Sequence, residues 1–417
     1  MNRYWKMKLT CLTPVHIGSG VSYNPGQYIF VPGYRGEGSI YFLNESKWLK
    51  YLYEKKVIDL FAKDLFNKVN ANDKKNPFNI YDWLSTQKSL GSIDKILHEL
   101  EERSAVYPKE PVYLDVNRAK LTNSLNDVHP FIRSGNGTCY IPGSSIKGVI
   151  RTALLVQDIM RHPEKYKEEL RSVSNALFAG GGRHPIEWEL ERTAKDIEKR
   201  FAYSPKAIEE ARIKHKPVDI VNDLFKYVQV SDAVASESLS MGIVQKIDLG
   251  IEASENGGTP KRLPICRECL MPDNALYFTI GLNDAALKQI GFSCMEDVLS
   301  ALNCFAELQY NLQADIYADS AMQEVDQLSE SNCVLGGGTG YLSKTILYAL
   351  AVSQAKNVKE GRENGIHVVR AFMKEKFDRG NHERDRKLSP HTLKLTVYKN
   401  KTVLMGLCKV EVEQELC

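Results

Sequence analysis

The chain has 417 residues, enough for roughly two to three domains and for a sizeable hydrophobic core. Hydrophobic residues make up 43% of the sequence and charged residues 26%, which argues against a largely disordered or membrane-spanning chain. The net charge of +3 is too small to identify a nucleic-acid-binding protein by composition, so any basic surface must be local. The nine cysteines, an odd number spread over a long chain, predict reduced thiols and not a secreted disulfide framework.

The N-terminal segment alternates polar and apolar residues and contains no uninterrupted apolar run. A signal peptide or a membrane anchor needs such a run, so neither is expected. A cytoplasmic protein without a membrane partner is therefore predicted, with two domains as the working number.

Strand patterns dominate the first 43 residues. Apolar and polar side chains alternate over residues 5–11, which predicts a half-buried strand. The strand runs into the sequence TPVHIGSG at residues 13–20, where proline and glycine indicate a loop. Two short strands joined by a glycine-rich turn are predicted at residues 27–32 and 39–43.

Amphipathic patterns, with apolar residues three and four apart, predict helices that lie on a sheet. Their ranges are residues 45–63, 93–104, 296–312 and 345–354. A polar, helix-rich stretch without a strand pattern is interpreted as a helical insertion at about residues 156–217.

Strand patterns return in the second half of the chain. They lie at residues 225–230, 243–249, 277–282, 393–397 and 403–407, and the last two form a hairpin. Because strands arrive in pairs between helices, an α+β fold is favoured over an alternating parallel one. The predicted domains are residues 1–235 and 236–417, the second containing a glycine-rich loop at residues 336–340.

The sequence YIPGSSIKGVIRTALL, at residues 140–155, contains the strongest functional signal. A proline and Gly143 end a strand, and Ser144 is a favourable N-cap for a helix that begins at Ser145. The apolar residues that follow recur at helical spacing, so one face of this helix must be buried.

Two cations follow this predicted helix start. Lys147 and Arg151 are four residues apart and therefore lie on one face. A helix N-terminus offers unpaired N–H groups and a partial positive charge, so a phosphate near Ser144 and Ser145 would also meet the Lys147 ammonium. In the alternative interpretation, Ser144 is only a cap and the two cations form a solvated face. The residues alone leave both interpretations open.

Three motifs occur in the same order in members of the RAMP superfamily, which the chain resembles over nearly its whole length. They are TPVHIGSG at residues 13–20, YIPGSSIKGVIRT at residues 140–152 and GGGTG at residues 336–340. Among RAMP proteins, the chain is most similar to the subunit that caps the 3′ end of the guide RNA (crRNA) in type III-A CRISPR effectors, the Csm complex. The length, the FKYVQVSD strand at residues 225–232 and the late glycine-rich loop are the basis of this likeness.

The resemblance implies two ferredoxin-like (RRM-like) RAMP domains with helical insertions. It implies a non-catalytic crRNA-binding subunit that contributes to crRNA maturation and complex assembly and needs no cofactor. The expected partners are crRNA, neighbouring RAMP subunits of the Csm complex and a host trimming nuclease. The residues expected to contact RNA are His16, Gly143, Ser144, Ser145, Lys147, Arg151, Gly336, Gly337, Gly338, Gly340 and Lys344.

A ribonuclease that processes or trims crRNA is the alternative function. Some relatives in the superfamily use a histidine as general acid or base, and His16 lies in a loop beside glycines. Such a reaction needs a second group that activates the ribose hydroxyl or protonates the leaving oxygen, and the sequence nominates none nearby. The polar stretch between Asp115 and Asp127 contains no motif that identifies a metal-dependent cleavage site. No catalytic residue is assigned, and His16 is interpreted as an RNA ligand only.

The glycine-rich loop also resembles a nucleotide-binding P-loop. Residues 338–345, GTGYLSKT, miss that pattern by one position, because Ser343 stands where the pattern has glycine. An ATPase is therefore a weaker third candidate. The favoured interpretation places bare N–H groups and Lys344 against an RNA backbone, and a plain structural turn is the alternative.

Two further segments contain residue types that can form sites. Cys266 and Cys269 form a CxxC pair that could supply half of a zinc site, but no second pair follows, and His367 and His382 are isolated in the sequence. Buried thiols on a strand are favoured, and no metal site is predicted. Residues 356–387 contain ten Lys and Arg against six Asp and Glu, which fits either a flexible basic arm or an ordinary solvated segment.

Overall fold

The computed structural model describes residues 2–33, 36–71, 78–115, 125–178, 186–214, 220–256, 258–317, 319–377 and 380–416. Helices and strands are interspersed along these residues and the strands form two curled sheets, which confirms the predicted α+β class. None of the helices in these ranges is long and apolar enough to cross a membrane.

The elements of the first half of the chain are numbered in chain order. Its strands are β1 Asn2–Cys11, β2 Tyr28–Pro32, β3 Glu37–Phe42, β4 Glu110–Tyr113, β5 Val128–His129 and β6 Val228–Val230. Its helices are α1 Glu45–Glu54, α2 Ile58–Ala71, α3 Ile80–Thr86, α4 Ile93–Glu102, α5 Gly143–Arg161, α6 Lys167–Phe178, α7 Ile186–Ala202 and α8 Pro205–Ile213.

The second half continues the same numbering. Its strands are β7 Met241–Gly250, β8 Lys261–Leu270, β9 Ala275–Asn283, β10 Cys333–Val334, β11 Thr392–Tyr398, β12 Lys401–Leu404 and β13 Leu407–Leu416. Its helices are α9 Ile251–Glu255, α10 Asp284–Leu287, α11 Met295–Gln313, α12 Asp319–Glu330, α13 Leu347–Ser353 and α14 Val358–Lys376.

The first sheet is antiparallel, with strand order β10-β13-β1-β9-β6. From Trp5 onward every second residue of β1 is buried, because successive side chains of a strand point to opposite faces. Met7 and Leu9 share a core cluster with Ile146 and Ile150 of α5 and with Val298 of α11. Two helices thus cover one face of this sheet, as expected for an RRM-like domain.

The second sheet has the order β12-β11-β7-β4-β3-β2, and β8 pairs with both β7 and β5. The β4-β7 and β5-β8 pairs are parallel, and the remaining pairs are antiparallel. Each sheet contains strands from both sides of residue 235, so the two halves of the chain hydrogen-bond to each other. The domain division at that residue stays a prediction.

Helices α1 to α4 form a separate layer against β2 and β3. Their core is aromatic, with the Phe61 ring packed edge-on against Trp48 and Trp83. The single helix predicted over residues 45–63 is wrong, because α1 and α2 are separated at Lys56, which has a φ of 58°. The predicted insertion at residues 156–217 is helical where the structure describes it, and residues 179–185 and 215–217 lie outside the described residues.

The CxxC pair lies on β8, as predicted, and both thiols are buried. Cys266 packs in a cluster with Val112, whereas Cys269 packs in another cluster with Met405. An odd spacing along a strand sends the two side chains to opposite faces, so they cannot bind one ion together.

One predicted strand is wrong, and one of the two open interpretations of residues 356–387 does not hold. Residues 225–230 do not form one strand, because a 3₁₀ turn occupies Leu224–Tyr227 and only β6 remains extended. Most of the proposed flexible arm at residues 356–387 is helix α14, and residues 378–379 lie outside the described residues. Arg362 of α14 is 5% exposed and its Nη1 lies 2.5 Å from Asp315 Oδ1, so part of the charge in this segment is used inside the fold.

Candidate nucleic-acid interface

Helix α5 begins two residues earlier than the sequence predicts. Its first residue is Gly143 and its N-cap is Pro142, which has no side-chain capping bond, so the prediction of Ser144 as the cap is wrong. Proline can precede a helix because its fixed φ suits the turn and it has no N–H to satisfy. Ser144 is exposed and Ser145 is half-buried in the first turn.

The start of helix α5 is already bonded to a carboxylate of the same chain, that of Asp232. The N–H of Gly143 donates a hydrogen bond to Asp232 Oδ1 at 2.7 Å. A Cβ atom on Gly143 would lie 2.3 Å from the carbonyl oxygen of Val230, so glycine is needed here for close packing against β6. The N–H groups of Ser145 and Ile146 also have partners, since both donate to the Pro142 carbonyl oxygen, at 2.9 and 3.3 Å. This helix start therefore offers an external anion fewer donors than the sequence predicts.

Lys147 and Arg151 lie together on α5, as predicted, over the ring of Phe225. The Lys147 Nζ is 5.6 Å and the Arg151 Cζ is 5.1 Å from the ring centroid, within cation–π range. Arg151 Nη1 also lies 3.1 Å from Asp223 Oδ2 and its side chain is 25% exposed. Burial lowers the pKa of Lys147, the charge of Asp223 offsets part of this, and the charge of Arg151 adds to it. Lys147 is thus the more available of the two cations, since Arg151 has a carboxylate partner.

The glycine-rich loop at residues 336–340 is fixed against the loop that holds His16. The N–H of Gly337 donates to the His16 carbonyl oxygen at 2.8 Å. Gly336 has a φ of 91°, and a Cβ atom on it would lie 2.2 Å from that same oxygen. Two motifs that are far apart in the sequence, TPVHIGSG and GGGTG, therefore form one structural unit.

Arg267 and Lys344 place two cations beside this unit. A Cβ atom on Gly338 would lie 3.8 Å from Arg267 Nη1. That nitrogen is shielded from solvent and has no hydrogen-bond partner in the described part of the chain. Burial lowers the pKa of Lys344, and the charge of Arg267 acts in the same direction. A buried donor without an acceptor costs about 1–3 kcal/mol, so this arrangement suits an anion that supplies the acceptor.

Two more lysines lie near Arg267, one on β7, which pairs with β8, and one on β11, which pairs with β7. The Nζ atoms of Lys246 on β7 and Lys394 on β11 lie 3.7 and 2.9 Å from carboxylate oxygens of Asp248. Burial lowers the pKa of Lys246, and the charges of Lys394 and Arg267 lower it further. We call Lys246, Arg267, Lys344 and Lys394 the basic cluster. Asp248 neutralises only one of these four positive charges, so the cluster carries an excess of positive charge.

His16 is 4% exposed, and its Nδ1–H donates to the Glu268 carbonyl oxygen at 2.7 Å. Burial lowers the pKa of His16 to about 4, so the ring is neutral at pH 7. A direct RNA contact by this side chain stays a prediction. Its observed contacts hold the 13–20 loop against β8, beneath the glycine-rich loop.

A buried acidic pair supports the same strand. Glu268 Oε2 accepts a hydrogen bond from the Phe131 N–H at 2.6 Å, and Oε1 accepts one from Arg133. Burial, together with the neighbouring charge of Glu268, raises the pKa of Glu110 well above its ordinary value. Glu110 is therefore protonated at neutral pH, which relieves the repulsion between the two carboxyl groups.

Replacing His16 by asparagine is expected to make stability less dependent on pH. An unfolded histidine takes up a proton near pH 6.5, whereas folded His16 does so only near pH 4. The unfolded state therefore binds more protons between these values, and the native chain loses up to about 3 kcal/mol of unfolding free energy as the pH falls across them. Urea unfolding at several pH values measures the slope for both proteins. Identical slopes would contradict the burial of a neutral ring.

The whole sequence was compared with known proteins. A family model described as the RAMP superfamily matches residues 8–314, well over half of the chain. The chain belongs to the RAMP superfamily. Its two sheets with their covering helices are accordingly two RRM-like RAMP domains, as predicted.

This RAMP protein is similar over its full length to proteins named "CRISPR system Cms protein Csm5". It is 24% identical to that of Mycobacterium tuberculosis, covering 99% of this chain and 100% of the relative. It is 27% identical to that of Streptococcus thermophilus, covering 67% of this chain and 64% of the relative. A chain in "Cryo-EM structure of Csm-crRNA-target RNA ternary complex in type III-A CRISPR-Cas system" superposes with a TM-score of 0.54 at 18% identity, covering 99% of this chain and 100% of that one, which shows a shared fold.

Of the predicted site residues of this RAMP protein, His16, the glycine-rich loop and Lys344 lie together. Lys147 and Arg151 lie on α5, where their neighbours are Phe225 and Asp223. The sequence analysis missed Lys246, Arg267 and Lys394. Arg267 lies between the two cysteines of the CxxC pair, a pattern that indicates metal binding and not RNA binding. An arginine within an otherwise buried strand segment needs an anionic partner, and that was the signal available in the sequence.

Proposed function

We propose that the chain is a non-catalytic crRNA-binding subunit of a type III-A (Csm) CRISPR effector that caps the 3′ end of the guide. It packs against neighbouring RAMP subunits and contributes to crRNA maturation and assembly of the complex. Shortening of the crRNA is then the task of a separate nuclease that the complex recruits. The full-length likeness to Csm5 proteins supports the assignment to this complex.

The observation on which RNA binding rests is the basic cluster beside the glycine-rich loop. Arg267 Nη1 is buried without an acceptor among the described residues, and Lys344 is held next to the same guanidinium. A phosphodiester supplies oxygen acceptors and negative charge together, and glycine lets a backbone approach closely. One RNA phosphate would therefore supply both the missing acceptor for Arg267 and the negative charge that balances the cations.

Such contacts give affinity without reading sequence. Hydrogen bonds to phosphate position a nucleic acid but do not distinguish bases. A guide-binding subunit has to accept varied guide sequences, since base pairing itself supplies the specificity. The proposed site therefore fits a guide-holding role better than a sequence-reading one.

Replacing Lys147 and Arg151 together by alanine is expected to weaken binding of single-stranded RNA about tenfold. The loss corresponds to roughly one charge-assisted phosphate contact, because Arg151 already has a partner in Asp223. Filter binding should give the same loss for two RNAs of unrelated sequence. Alanine at Arg171 and Lys206, exposed on α6 and α8, is the matched control with the same change of charge. An unchanged affinity for RNA would show that Lys147 and Arg151 of α5 do not contact the RNA.

Incubation with labelled RNA separates the proposal from a ribonuclease. The purified chain, with magnesium and separately with EDTA, is expected to retain and not cleave two RNAs of unrelated sequence. Cleavage that survives repurification and remains in proportion to the chain would assign an enzyme instead. A chain that binds neither RNA would contradict the proposed function itself.

A further inference from the structure

The segment between α14 and β11 brings two histidines and one aspartate together. His382 begins a 3₁₀ turn, His382–Arg384, and Asp385 follows it, whereas His391 immediately precedes β11. The Nδ1 of His382 lies 3.1 Å from Asp385 Oδ2, and the Nδ1 of His391 lies 2.5 Å from Asp385 Oδ1. One donor atom from each residue lies within 4.8 Å of the other two. His382, expected to be isolated, is therefore part of a cluster.

The carboxylate at the centre of this cluster is held rigidly. The Asp385 side chain is 1% exposed, and its Oδ2 accepts a hydrogen bond from the Ser389 hydroxyl at 2.6 Å. Ser389 is fully buried, and its backbone N–H and carbonyl both bond to the Tyr348 hydroxyl at 3.0 Å. Arg370 Nη1 donates to the Asp385 carbonyl oxygen at 3.2 Å. Outer partners of this kind fix the orientation of a metal-binding carboxylate.

One side of the cluster is open to solvent. Asp385 and His391 line a cavity of about 430 Å³, and His382 and His391 line a second of about 770 Å³. The His391 side chain is 37% exposed, whereas that of His382 is 13% exposed. Water can therefore reach the donor atoms from the His391 side.

We propose that His382, Asp385 and His391 bind a transition-metal dication such as Zn²⁺, with a further coordination position open to the cavity. Imidazole nitrogen and carboxylate oxygen are normal zinc ligands at about 2.0–2.2 Å, which puts neighbouring ligands of a tetrahedral site about 3.3 Å apart. The 3.1 Å contact of His382 is close to this value. Both histidines donate an Nδ1 proton to Asp385, so the ion displaces two protons; each ring stays neutral with its proton on Nε2, and any surplus proton is released to water. The 2.5 Å contact of His391 must lengthen, which the partly exposed His391 ring can follow.

This inference does not depend on RNA binding, so the test uses the metal alone. Isothermal titration of the full chain with ZnCl₂ is expected to show about one equivalent bound. His391→Gln is expected to weaken binding at least about 100-fold, because one of three protein ligands is lost. His367→Gln, which changes an exposed histidine on α14, is the matched control and should bind as the unaltered chain does.

Cobalt absorption distinguishes this site from binding at the cysteines. Co²⁺ held by nitrogen and oxygen ligands gives visible bands without the near-ultraviolet thiolate charge-transfer band, and His382→Gln should abolish those visible bands. Thermal unfolding with and without Zn²⁺ gives a second readout, since an ion bound only to the native state raises Tm. A thiolate spectrum, or zinc binding that His391→Gln leaves unchanged, would overturn the proposal and leave the cluster as a proton-bridged network.

Discussion

Replacing Arg267 and Lys344 together by alanine is expected to weaken the binding of single-stranded RNA about 100-fold. Each cation contributes one charge-assisted contact to phosphate, worth roughly 1.5 kcal/mol, or about tenfold in Kd. The loss should be the same for unrelated sequences, because phosphate contacts carry no base information. The dependence of log K on log salt should also become shallower, by about 0.7 for each lost phosphate contact on a single strand.

The double alanine variant at Arg171 and Lys206 serves here as well, since it removes one arginine and one lysine from exposed helix positions. Removing Arg267 also removes a buried charge that has no acceptor on Nη1 in the described residues. Its loss is therefore expected to leave the free energy of unfolding unchanged or to raise it. A variant that binds RNA as the unaltered chain does would place the RNA away from the glycine-rich loop.

Replacing Gly336 by alanine is expected to destabilise the fold by about 3 kcal/mol. The residue has a φ of 91°, which alanine adopts at a cost of about 1–2 kcal/mol. Its Cβ would also lie 2.2 Å from the His16 carbonyl oxygen, a backbone atom that can move only if the loop opens, and such overpacking costs about 1–3 kcal/mol. Urea unfolding followed by circular dichroism measures the change.

Gly148 gives the matched control, because it is exposed in the middle of α5 and a Cβ atom there would meet nothing within 4 Å. Alanine at this position is expected to leave stability unchanged or raise it by up to about 1 kcal/mol. If Gly336→Ala is as stable as Gly148→Ala, the close fit between the two motif loops is not a constraint on the fold.

Helix α5 shows which structural features local sequence patterns can predict. Its approximate position and its buried face could be predicted, because apolar residues at helical spacing define the face that packs against the core. Ile146, Ile150 and Leu154 on that face are all buried. Its cap could not, because the first N–H is satisfied by Asp232, which lies far along the chain. Capping rules consider neighbours in sequence, whereas this carboxylate is a neighbour only in the folded protein.

The basic cluster could not be predicted from local sequence patterns. Lys246, Arg267 and Lys394 come together because β7 pairs with both β8 and β11. Such strand pairing joins residues that are far apart in the sequence, and the periodicity of side chains within one strand does not predict it. The same reason accounts for the place of β1, between β9 and β13, which no pattern within β1 reveals. Residue types and strand propensities were visible in the sequence, but their partners were not.

Crosslinking within an assembled Csm complex that contains this chain tests directly whether the chain holds the 3′ end of the guide. A photoreactive uridine would be placed either near the 3′ end or near the 5′ end of the crRNA, and crosslinked peptides identified by mass spectrometry. We expect 3′ crosslinks to peptides that contain Arg267 or residues 336–344 of this chain. Crosslinks to this chain from the 5′ position alone, or from neither position, would contradict its proposed place at the 3′ end of the guide.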